Sequence, residues 1–150
     1  MINSRKLEDL HPTLFRGANE LVKRMAQEGY GNVGFSLTYR CNYYQNYLYS
    51  QGRILSGQII TNAQGGESIH NYRLAFDIFK DVPDQTCSDV KFFDTAGRVW
   101  VEMGGVWGGS NVERVDKTHF EYTARLTIWQ LKLGLTVPQN DKMLWELFRT

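Results

Sequence analysis

Three residues of this chain have the types that hold a catalytic metal: His70, Asp77 and His119. They include two of only three histidines in the sequence. Imidazole nitrogen and carboxylate oxygen are zinc donors, and three protein ligands leave a fourth position open for water. The corresponding chemistry is metal-assisted hydrolysis. Spacing sets a condition on it. Zinc holds such atoms at about 2.0–2.2 Å, so ligand atoms stand about 3–4 Å apart. The seven steps from His70 to Asp77 span about 23 Å extended and about 10 Å as helix. The chain must therefore turn between them. Asn71-Tyr72 is the candidate place, because Asn tolerates left-handed backbone. Asp77 is also a lone carboxylate in the apolar run Leu74-Ala75-Phe76-Asp77-Ile78-Phe79. A buried charge needs a partner or a metal. A structural Asp bonded to backbone amides or to Arg satisfies the same residues.

The elements that must position these groups follow from periodicity. Pro12 to Glu28 is a helix, with Leu14, Phe15, Ala18, Leu21, Val22, Met25 and Ala26 on one face. Pro12 suits its first turn and Gly29 the position past its end. His11 falls near its cap. Val33 to Tyr39 alternates as a half-buried strand, with Val33, Phe35 and Leu37 on one face and Ser36, Thr38 and Arg40 on the other. Asn42 caps a short helix that Gly52 ends. Arg53 to Gly66 is a long loop, a length that often carries function. Leu74 to Phe79 is a strand. Asp94 is read as the cap of a helix through Trp100 to Met103, followed by a strand at Val106-Trp107 and another at His119 to Tyr122. Thr127 to Leu133 and Asp141 to Phe148 are short closing helices. The fold class is α+β: a small central antiparallel sheet flanked by helices, in one domain spanning 1–150.

Composition narrows the function classes. Apolar residues make 42% and charged residues 22%, an ordinary globular balance. Net charge is +1, with +3 on residues 1–75 (8 basic, 5 acidic) and −2 on residues 76–150 (9 basic, 11 acidic), so nothing argues for nucleic acid. Asp81, Asp84 and Asp89 lack the D-x-D-x-D-G pattern of a calcium loop and read as solvated. Cys41 and Cys87 form no C-x-x-C pair and read as two free thiols. Met1-Ile2-Asn3-Ser4-Arg5-Lys6 leads into charged residues without an apolar stretch, so no export signal is expected.

A set of ordered motifs extends the metal reading. Ser68-x-His70-x-x-x-x-Ala75-x-Asp77 is followed by Asp116-x-x-His119-Phe120-Glu121. Tyr39-Arg40, Gln45, Leu48-Tyr49-x-Gln51-Gly52-Arg53, Thr61-Asn62-Ala63-x-Gly65-Gly66-Glu67-Ser68 and Trp107-Gly108-Gly109 complete the order. Together, from about Leu10 to Leu133, they resemble the D-alanyl-D-alanine carboxypeptidase and L-alanyl-D-glutamate endopeptidase family of zinc peptidases (peptidase M15 type). The short form looks most like a bacteriophage endolysin without a separate cell-wall-binding domain.

The resemblance implies one zinc per chain on His70, Asp77 and His119. It implies a hydrolase of the bacterial peptidoglycan stem peptide, cutting L-alanyl-D-glutamate, with D-alanyl-D-alanine carboxypeptidase action or a non-catalytic zinc-containing binding module as alternatives. Asp116 matches the catalytic carboxylate, which takes a proton from the metal-activated water and passes it to the leaving amine. Glu121 is the rival, or else orients His119. Arg40 is expected to face the site and stabilise an oxyanion or hold a substrate carboxylate. Gln45 and Ser68 are candidates for bonds to substrate or to ligand-supporting groups, and Trp107 for lining the cleft. Arg73 stands where the family has Gly, and a substrate carboxylate is one use for its cation. If that position needs a positive φ, Arg costs about 1–2 kcal/mol there. The expected life of the protein is as a monomer made in a host cytoplasm, released to the wall through a membrane pore made by a partner (holin).

Overall fold

The computed structural model describes residues 1–83 and 89–149. Strand β2 (Ala75–Lys80) has two different surfaces. Phe76 and Ile78 are buried on one side, and Asp77 lies on the other. Its neighbours are β1 (Val33–Leu37) and β4 (His119–Glu121), and β3 (Val106–Trp107) closes the far edge, in the order β1-β2-β4-β3. All three pairings are antiparallel. Helices α1 (Pro12–Gln27) and α3 (Val90–Glu102) supply most of the core beneath one face of the sheet. Phe76 stacks on Phe120 at 5.5 Å and meets Trp100 edge-on at 5.0 Å. Buried aromatics of this kind each contribute about 1.5–3 kcal/mol. They fix the strands that carry the site on their opposite face.

Two sequence expectations are corrected by this packing. The buried face of α1 is Thr13, Leu14, Gly17, Ala18, Leu21 and Met25, whereas Phe15 is exposed. Thr13 turns inward because its hydroxyl donates to the Asp141 carbonyl. On β1 the alternation fails between Phe35 and Leu37, where the pairing register shifts. Phe35 faces Ile78 and packs on Phe76, while Leu37 faces Asp77 and lines the opposite side. An extra residue in one strand reverses which face its later side chains occupy.

The caps differ too. Asp89 caps α3, its Oδ1 accepting from the Phe92 amide, and Asp94 sits within the helix, paired with Lys117. Helix α2 (Asn42–Ser50) is capped by Cys41, whose Sγ accepts from the Tyr44 amide, rather than by Asn42. The closing helices shrink to α4 (Ile128–Lys132) and α5 (Leu144–Leu147). Cys87 and Asp84 lie outside the described residues.

His11 is the cap of α1, and it is buried rather than superficial. Its Nδ1 accepts from the Thr13 amide, and its Nε2 donates to the Val137 carbonyl. One neutral tautomer makes both bonds. Burial pushes the imidazole below its ordinary value, against the bond to Val137 and the charge of Asp141. The folded state therefore takes up this proton less readily than the unfolded chain, and stability falls as pH drops below about 6.5. His11→Asn keeps a capping side chain without the titration. Its melting temperature is expected to fall less between pH 7 and pH 5 than that of the wild type.

Candidate metal centre

The register of β2 and β4 places Asp77 directly opposite His119 and Ala75 opposite Glu121. Directly paired residues share a face, so Asp77, His119 and Glu121 stand together on the side away from the aromatic core. His70 arrives from a short 3-10 turn, Ile69–Tyr72, that precedes β2. One atom from each of His70, Asp77 and His119 lies within 4.8 Å of the others. Asp77 Oδ1 is 3.2 Å from His70 Nε2 and 3.1 Å from His119 Nδ1.

The turn that the spacing demands includes Asn71-Tyr72, in the 3-10 turn Ile69–Tyr72, but its left-handed residue is Arg73 at φ 64° and not Asn71. Asn71 instead locks the preceding loop: its Oδ1 accepts from the Gly66 and Ser68 amides, and its Nδ2 donates to the Arg40 carbonyl. Arg73 is held away from the cleft. Its guanidinium lies 3.8 Å over the Tyr39 ring and donates to the Asp9 carbonyl at 2.7 Å. The expectation that its cation meets substrate is corrected accordingly: the left-handed backbone turns the side chain toward the N-terminal segment. Ala would keep the strain and lose these contacts, whereas Gly relieves it. Arg73→Ala is therefore expected to be less stable than Arg73→Gly by about 1 kcal/mol, measured by denaturant unfolding.

Both imidazoles are tied by their outer nitrogens. His70 Nδ1 faces the Thr38 carbonyl at 3.2 Å, and His119 Nε2 faces Glu121 Oε2 at 2.7 Å. These partners only accept, so each outer nitrogen carries a proton, and the inner nitrogens face Asp77 Oδ1, where a bound metal would take their lone pairs in place of a proton. Burial alone would raise the Asp77 carboxyl, but its bonds with His119 and His70 outweigh that and hold it well below the ordinary carboxylate range. Burial alone would depress His119, yet Asp77 and Glu121 push it up to about 10. The pocket thus concentrates negative potential between two nitrogen donors. Its N, N, O donors and their separations fit a zinc ion. His70 is 5% exposed, while the Asp77 and His119 side chains keep 22% and 21%, so the cluster opens on one side.

That side is a cleft of about 520 Å³. Arg40, Ser68, Trp107, Asp116 and Glu121 border it together with the three candidate ligands. Asp116 is exposed on the loop after β3. Its Oδ1 accepts from the amide and hydroxyl of Thr118 at 3.1 and 2.8 Å, and Oδ2 has no partner among the described residues. Gly108 lets this loop close, since a Cβ there would collide with the Asp116 carbonyl. Arg40 is half-buried, donating through Nε to Asn3 and through Nη1 to Gln45. Burial pulls the guanidinium below its ordinary value, and Asp77 opposes that.

Gln45 does not reach the cleft. It is 1% exposed, and its Nε2 donates to the Ala63 carbonyl at 2.9 Å. It spans from the 61–63 loop to Arg40 and so holds that cation in place. The Trp107 indole lies over Gly97 of α3, where only a glycine leaves room, and donates to the Lys117 carbonyl. It borders the cleft while packing against the core. Thr38 and Arg114 were not singled out by sequence. Thr38 acts through its backbone carbonyl, which no side-chain pattern reveals. Arg114 lines the cleft two residues before Asp116.

Comparison with known proteins identifies relatives of this chain. A family described as D-alanyl-D-alanine carboxypeptidase matches residues 61–122, the segment that carries His70, Asp77, Asp116, His119 and Glu121. Peptidoglycan L-alanyl-D-glutamate endopeptidase CwlK of Bacillus subtilis (strain 168) is 33% identical over 123 residues, covering 75% of this chain and 73% of that protein. Members of the matched family are zinc peptidases, and the three residues drawn together on β2, β4 and the turn before β2 could bind a metal. The chain belongs to the M15 family of peptidases.

Proposed function

We propose that this chain is a zinc-dependent peptidoglycan hydrolase that cuts the L-alanyl-D-glutamate bond of the stem peptide. The observation that carries the reading is the His70–Asp77–His119 cluster, with both outer nitrogens tied and one open side on the cleft. The relative named for that bond supplies the substrate. His70 Nε2, an Asp77 oxygen and His119 Nδ1 would hold the ion. Bound there, zinc supplies Lewis acidity and lowers the pKa of a water at the open position.

The rest of the chemistry falls to the chain's own side chains. Asp116 presents the Oδ2 that Thr118 leaves free, which takes a proton during attack and returns it to the leaving amine. Glu121 is engaged by His119 at 2.7 Å and fixes the ring rather than competing for that task. Arg40 offers a fixed cation for the charge that develops on the carbonyl oxygen. Action as a bacteriophage endolysin, as a monomer released through a pore-forming partner, belongs to the same proposal. Export of the chain from cells that lack such a pore would count against that route.

The test is mass spectrometry of purified peptidoglycan after digestion, with and without a zinc chelator. New L-alanine C-termini and D-glutamate N-termini that disappear with chelator are the expected products. Release of free D-alanine would instead make the enzyme a carboxypeptidase. Absence of products with one zinc bound per chain would make it a binding module.

A further inference from the structure

We propose that Arg114 is the specificity residue of the cleft and binds the free carboxyl group of the D-glutamate residue beside the scissile bond. The inference rests on the L-alanyl-D-glutamate reading above and deepens it. Glutamate has two carboxyl groups, and the peptide chain continues through at most one of them. A second carboxyl, charged unless amidated, therefore lies within a few bonds of the scissile nitrogen.

The charges along the cleft leave one receiver for it. Arg40 is anchored by Asn3 and Gln45 and faces the field of Asp77. Glu67 is paired with Lys132, and Glu121 with His119. Arg114 lines the same cleft, and its guanidinium has no acidic partner among the described residues. An exposed guanidinium can take a carboxylate through two parallel N–H donors.

Its backbone is placed by the sequence around it. Asn111 Oδ1 accepts from the Glu113 and Arg114 amides at 3.0 and 3.1 Å. Two residues later the Asp116 amide donates to the Gly108 carbonyl at 3.0 Å. Arg114 and Asp116 thus share one pinned loop on the cleft wall. A substrate whose leaving amine is served by Asp116 has its glutamate side on that loop. Sequence reading passes over Arg114 because no motif contains it.

The experiment gives the zinc-loaded enzyme two synthetic stem peptides, with D-glutamate or with D-isoglutamine, which differ only by a carboxylate against a carboxamide. The wild type is expected to favour the carboxylate peptide by about tenfold in kcat/KM. Arg114→Gln should lower kcat/KM on that peptide by about tenfold and leave the carboxamide peptide unchanged, so the preference collapses. Arg114→Lys should keep part of it. Equal loss on both peptides, or no change in the ratio, overturns the assignment while leaving the bond specificity standing. If the wild type cuts neither peptide at the alanyl bond, the L-alanyl-D-glutamate reading fails first and the assignment falls with it.

Discussion

Asp116→Asn is expected to lower kcat/KM on the stem peptide by about a hundred- to ten-thousandfold, while zinc stays bound at one per chain. Asn keeps the shape and the Oδ1 acceptor that receives two bonds from Thr118. The loop should therefore hold, and only the proton acceptor is lost. A structural role predicts a different outcome, in which stability and zinc content fall along with activity. Full hydrolysis by this variant would remove Asp116 from the chemistry and make Glu121 the next carboxylate to substitute. The geometry argues against Glu121 as the first choice, because its Oε2 already accepts from His119.

Asp77→Asn should weaken metal binding severely and abolish hydrolysis. The carboxylate is the central donor, in contact with both imidazoles, and it supplies the only negative charge among the three candidate ligands. A neutral amide of the same size keeps the β2 position but not the anion. Zinc affinity is expected to fall by on the order of a thousandfold, more than the 10–100-fold usual for a supporting residue. Competition with a chromogenic chelator would measure it, and circular dichroism would show the fold retained. Affinity close to wild type would mean that the ion is held elsewhere.

Much of the site was legible in the sequence because its donors are chemically distinctive. Two histidines and a lone aspartate in an apolar strand define a metal hypothesis before any coordinates are known. The sheet then explains why they meet: antiparallel register sets Asp77 against His119. The features that were not legible depend on backbone. The register shift after Phe35 moves Leu37 to the cleft face, although alternation alone places it with the core. Arg73 occupies a left-handed turn that its residue type does not announce. The cap of α3 is Asp89 rather than Asp94, since both carry the same capping signal and only packing of the apolar face chooses between them. Ala124 and Arg125, at φ 49° and 67°, form a turn closed by the Leu126 amide on the Thr123 carbonyl, with none of the residues that usually mark one.

The supporting groups follow the same rule. Glu121 could be placed on the His119 face from strand period alone. The Thr38 carbonyl could not, because a backbone acceptor has no sequence signature. Gln45 was visible as a polar residue in an ordered motif, but its burial beneath Arg40 required the fold.

The central claim is that His70, Asp77 and His119 form a zinc centre. It is tested most directly by X-ray absorption at the zinc edge of protein loaded with one equivalent. The expected spectrum shows two imidazole nitrogens and low-Z oxygen donors at about 2.0–2.2 Å, lost in Asp77→Asn. A sulfur scatterer at about 2.3 Å, or an unchanged spectrum in that variant, would place the ion at another site and contradict it.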